Sequence, residues 1–140
     1  MERWARLLLP LAALTGCGDL PRDIEGTSEQ VARTRVIRVG VTGIAARASE
    51  AQALVTSLER ATGARAHVTR GEAEPLLQAL ERGELDLALA WFDAKTPWAK
   101  RVAPAPALAE RGELRLRAML RNGENRWTSL VERASRDLGS

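Results

Sequence analysis

Hydrophobic and polar positions along the chain change period several times, and each change marks an element. Residues 35 to 41, RVIRVGV, carry Val36, Ile37, Val39 and Val41 in a β-branched run that ends at Thr42-Gly43, predicting a strand and then a turn. From Ser49 the period becomes helical. Ala51, Leu54, Val55, Leu58 and Ala61 recur on one face, Ser49 with Gln52 three residues on has the form of a capping box, and Gly63 stands where a C-cap glycine belongs. ARAHVTRG predicts a second short strand. EAEPLLQALERG predicts a second helix, with Pro75 tolerated in its first turn, Leu76, Leu77 and Leu80 facing the core, and Gly83 at its end. LDLALAW, from Leu85 to Trp91, is apolar except for Asp86, as expected of a central strand covered on both faces.

Beyond the loop FDAKTPWAKRV, the stretch ELRLRAMLR alternates. Leu114, Leu116, Ala118 and Leu120 point one way and Arg115, Arg117, Met119 and Arg121 the other, which predicts a strand with one wet face at or near a sheet edge. In NRWTSLVERASRDLG, Trp127, Leu130, Val131, Ala134 and Leu138 form a helical stripe that closes the domain on the sheet. Strands alternating with helices of about three turns imply parallel pairing through right-handed crossovers. The expected fold is a single small α/β lobe in three layers, with a mostly parallel sheet of about four strands and about three helices over residues 35–140.

The N-terminus follows another logic. Arg3 and Arg6 precede an apolar run from Leu7 to Leu14 that meets Thr15-Gly16-Cys17, the pattern of a secretory signal peptide over residues 1–16. LTGC resembles the lipobox of bacterial lipoproteins, which implies a lipidated Cys17 as the first mature residue. The bland alternative is an unused cysteine. The apolar run falls short of the roughly 20 residues of a spanning helix, so the expectation is export and lipid anchoring in the cell envelope, facing the periplasm. Residues 18 to 34 are polar with Gly and Pro and read as a tether, with a helical turn at Glu29 to Arg33.

Composition narrows the function classes. A chain of 140 residues that is 45% hydrophobic has room for one core. Of its 21 basic residues 19 are Arg, but they are interleaved with acids rather than clustered, which argues against nucleic-acid binding. Cys17 is the sole cysteine and His67 the sole histidine, so a Cys-ligated zinc or a disulfide is excluded and His67 reads as an ordinary strand residue. GVTG lacks the Lys-Ser/Thr of a phosphate loop, and no nucleophile elbow occurs. Neither catalysis nor a cofactor or metal is expected.

The order VIRVGVTG, amphipathic helix, ARAHVTRGEAEPLLQALERGELDLALAWF and TPWAKRVAPAPAL, with the ending RNGENRWTSLVERASRDL, resembles the first lobe of the extracytoplasmic solute-binding proteins of ABC transporters, the polar amino-acid type. The resemblance spans residues 35 to 138 and implies a two-lobed clamp around a small solute. The chain departs from that pattern twice. From Leu108 to Leu114 it passes almost directly from the loop to the returning strand, so the second lobe is missing. The position implied for the family's carboxylate-gripping arginine falls on Trp98, with Arg101 three residues on.

In an open α/β sheet the ligand crevice lies outside the carboxyl ends of the strands. This singles out Thr42, Gly43, Arg70, Trp91, Phe92, Asp93, Trp98 and Arg101. Trp91, Phe92 and Trp98 read as an apolar platform for a solute, or else Phe92 and Trp98 merely cover the sheet edge. Asp93 fits a turn cap better than a partner for a ligand ammonium, and Arg70 a solvated charge better than an anion site. The expected function is a membrane-anchored solute-binding-like lipoprotein that holds a small polar solute weakly or with a partner, such as an ABC permease. The alternative is a lobe that has lost solute recognition and contacts another envelope protein; a homodimer closing two lobes face to face also fits.

Overall fold

The computed structural model describes residues 20–140, so the leader, the cleavage region and Cys17 lie outside the described residues. The chain runs through α1 (Thr27–Thr34), β1 (Val36–Val41), α2 (Ser49–Thr62), β2 (Arg65–Arg70), α3 (Ala73–Glu81), β3 (Leu87–Asp93), β4 (Val102–Pro104), β5 (Ala109–Arg111), β6 (Leu114–Arg121) and α4 (Asn125–Leu138). Six strands form one mixed sheet in the order β2, β1, β3, β6, β4, with β5 also on β6. Its β2, β1 and β3 core is parallel, and β6 runs antiparallel to β3. The single three-layer α/β lobe is as expected, though the described residues form six strands and four helices rather than about four and about three. None of the described helices is long and apolar enough to cross a membrane.

Alternation along the strands builds the layers. Ile37, Val39, Val41, Leu87 and Leu89 join Leu54, Leu58, Trp127 and Val131 in a core beneath α1, α2 and α4. Ala88, Ala90, Phe92 and Met119 join Leu76, Leu77 and Leu80 in a second core beneath α3. The unbroken apolarity of β3 therefore reflects burial on both faces. Gly40 lets α3 lie close: a Cβ there would stand 2.6 Å from Leu85 Cδ1 and 3.1 Å from Leu76 Cδ2.

Two local expectations need correction. Ser49 is the first residue of α2 rather than its cap; Ala48 holds the cap position without a side-chain hydrogen bond, and Ser49 Oγ donates to Glu50 instead. β6 lies one strand in from the edge, near it as expected. The stretch from Val102 to Arg111 pairs along its far side, helped by Ala105 N donating to Ala118 O at 2.9 Å and Leu108 N to Leu116 O at 2.7 Å. Pro104 and Pro106 lack the N–H that an interior strand needs, so this flank stays at the edge. Met119, on the face expected to be wet, is fully buried under α3.

The stretch read as a tether is docked from Asp23 onward. Glu124, 1% exposed at the start of α4, accepts hydrogen bonds from Glu25 N at 2.7 Å and Thr27 N at 3.0 Å. Asp23 accepts from Ser28 N at 2.8 Å and Trp127 N at 2.9 Å. Each acid thus satisfies N–H groups at or before the first turn of a neighbouring helix, and Val31 carries α1 into the core. Burial alone would raise the Asp23 carboxyl, but hydrogen bonds from the Ser28 side chain and from the backbone of Trp127, Ser28 and Arg126 together hold it low. A carboxylate lowered in the folded chain adds stability above its unfolded value near 3.8, and that stability is lost as pH falls through the lower folded value. Asp23→Asn is therefore expected to be less stable at neutral pH and to show a shallower acid decline in its urea midpoint. An unchanged acid limb would contradict the linkage.

Candidate functional site

The carboxyl ends of β1 and β2 lie side by side, because Val41 pairs with Arg70; on its other flank Val41 pairs with Leu89 within β3, which runs on to Asp93 beyond them. Thr42 N donates to Leu89 O at 3.1 Å and Gly71 N to Val41 O at 3.2 Å, fixing the loops that leave this end. Thr42 and Gly43 leave β1 at this end and Arg70 ends β2, while Trp91 and Asp93 lie further along β3, past Leu89. Gly43 and Arg70 are exposed, as is Ile44, at 67%. No ion pair among the described residues involves Arg70. The Asp93 carboxylate accepts from Lys95 N at 2.9 Å and so caps the turn that leaves β3.

The tryptophan platform does not assemble. Adjacent strand residues point to opposite faces, so Trp91 packs on the core under α2 while Phe92, 7% exposed, is buried under α3. Trp98 joins the α3 side. Each indole carries an arginine: Arg111 stands 4.9 Å from the Trp91 ring and Arg101 4.5 Å from the Trp98 ring.

Arg101 and the strand ends part company altogether. After Asp93 the chain passes through a short turn helix, Pro97–Lys100, and enters β4, whose Val102 pairs with Arg121. Arg121 lies at the opposite end of β6 from Leu114, the partner of Asp93. At that far end Arg101 Nη2 is 2.7 Å from Oε1 of Glu81, near the end of α3, and Arg101 O accepts from Asn122 Nδ2 at 2.9 Å. A guanidinium engaged there is remote from any ligand above β1 and β3.

Sequence reading missed a groove of about 490 Å³ beneath the strand ends, between α2 and β2. Val41, Val55, Val68 and Leu89 form its walls and Arg70 stands at its edge. The available signal was Val68, the one large apolar residue of β2, which is left 49% exposed. Among the described residues no group of His, Cys, Asp and Glu is placed to hold a metal ion.

No protein-family model and no curated protein matches the sequence. Solved structures do match the fold. Domain 1 from TmArgBP in its arginine-bound form superposes with a TM-score of 0.66 at 12% identity, over 78% of this chain and 98% of that one. An amino acid ABC transporter substrate-binding protein from Streptococcus pneumoniae, bound to L-arginine, gives 0.68 at 7% identity, over 80% and 91%. An ancestral cationic amino acid solute-binding protein gives 0.50 at 14% identity, over 59% and 41%. The chain has the fold of a single lobe of the amino-acid solute-binding proteins.

Proposed function

We propose that this chain is a lipid-anchored, single-lobe solute-binding lipoprotein of the ABC-transporter type, exported and facing the periplasm. It takes a small polar solute at the carboxyl ends of β1, β2 and β3, weakly alone or more tightly with a permease or other envelope partner. The supporting observation is the fold: it matches a lone domain 1 that itself holds arginine. The strand ends here offer Thr42, Gly43, Arg70, Trp91 and Asp93, but the loop guanidinium is committed to Glu81. With one wall and no bidentate grip on a carboxylate, free L-arginine is expected to bind with a Kd of about 1 mM or weaker. Calorimetric titration returning micromolar affinity for the isolated chain would reject the weak-binding part.

Anchoring rests on LTGC. Cys17→Ser is expected to leave unprocessed precursor and to abolish metabolic labelling with palmitate; a variant that matures and partitions with membranes like wild type contradicts it. One observation favours the second reading, in which the same end contacts a protein: Ile44 is 67% exposed beside Thr42 and Gly43. Loss of a co-purifying envelope protein on Ile44→Ser, with solute titration unchanged, supports contact over reception.

A further inference from the structure

We propose that the groove between α2 and β2 binds a small apolar monocarboxylate, with its hydrocarbon on the valines and its carboxylate on Arg70. This goes beyond the polar-solute reading, since the groove opens on the α2 face of the sheet, although Arg70 is shared.

The pairing of β1 with β2 sets Val39 beside Val68 and Val41 beside Arg70 on one face of the sheet. Across from them, α2 presents Ala51 and Val55, four residues apart and so on one side of the helix. The groove stays open because α2 packs mainly on α4 and meets β2 only along its flank. Among the described residues no strand pairs beyond β2, an edge strand exposed along nearly its whole length.

Charge selects the occupant. Arg70 has no ion-pair partner among the described residues, and no acid lines the groove. One guanidinium at the edge of an apolar channel matches one carboxylate. A zwitterion would bring an ammonium that finds no counter-charge there and pays desolvation for nothing. A second copy of the chain fits less well. Antiparallel self-pairing centred on β2 sets Arg65 opposite Arg70, a like-charge pair in each half.

The test is calorimetric titration of the full chain with octanoate, with L-arginine titrated in parallel. Octanoate is expected to saturate in the submillimolar range. Arg70→Gln should weaken it by about tenfold, and Val68→Asp, at an exposed edge position, should weaken it at least as much by repelling the carboxylate. No saturation by about 10 mM octanoate, or saturation untouched by both substitutions, overturns the proposal. L-Arginine binding that survives in a chain deaf to octanoate overturns it too, while leaving the polar-solute reading standing.

Discussion

Replacing Asp86 with alanine is expected to lower the unfolding free energy by about 3–5 kcal/mol. Asp86 is the one charge inside the apolar run of the third strand segment, and it is 3% exposed. Its carboxylate accepts from Arg38 N at 2.7 Å, Arg38 Nε at 3.3 Å and Arg38 Nη2 at 2.8 Å. Truncation strands a backbone N–H of β1 at the entrance to the core and leaves a guanidinium, 29% exposed in its side chain, without a counter-charge. Partial solvation of Arg38 pulls the effect toward the lower figure. Asp86→Asn keeps an acceptor for the N–H and should lose less. Urea denaturation decides: a change of no more than about 1 kcal/mol for the alanine variant would mean that the pair behaves as a surface salt bridge.

Asp86 also shows how far local pattern carries. Its place in an apolar run was legible; its partner, 48 positions upstream, was not. The parallel core and the helices α2, α3 and α4 were readable because each buries a whole stripe or run against the sheet. α1 has only Thr27 and Val31 to bury, and its anchors Asp23 and Glu124 lie 104 and 97 positions from the N–H groups they meet across the chain. β4 and β5 are three residues each, one of them ending in proline, and carry no period to detect.

The site was legible by halves. Thr42 and Gly43 follow the first predicted strand and Arg70 closes the second, so their place at the carboxyl end follows from topology alone. Opposite facing of Trp91 and Phe92 is a consequence of strand geometry that the sequence already contained. Trp98 and Arg101 are different. No local pattern says that the chain after Asp93 doubles back down the α3 face; that path is set by pairing of β4 with the far end of β6 and by the ion pair with Glu81. The shift carries Arg101 away from the strand ends, where Arg70 stays exposed with no ion-pair partner among the described residues.

Trp127→Ala is expected to cost about 3–5 kcal/mol through the cavity it leaves. Trp127 is the largest fully buried side chain, 1% exposed, and it packs in the core beneath α1, α2 and α4. Its Nε1 donates to Asp86 O at 2.8 Å, tying α4 to the start of β3 at the residue whose carboxylate holds β1. Its own N–H is capped by Asp23, so one residue links α4, β3 and the docked N-terminal segment. Trp127→Phe separates the contributions: it keeps an aromatic in the site, forfeits the indole hydrogen bond, and should cost about 1–2 kcal/mol. Because the Trp127 indole donates to the backbone carbonyl of Asp86 itself, Asp86→Ala and Trp127→Phe should not add; a double-mutant cycle is expected to give coupling above about 0.5 kcal/mol. Strict additivity would mean that the carboxylate anchor and the indole anchor hold β3 independently.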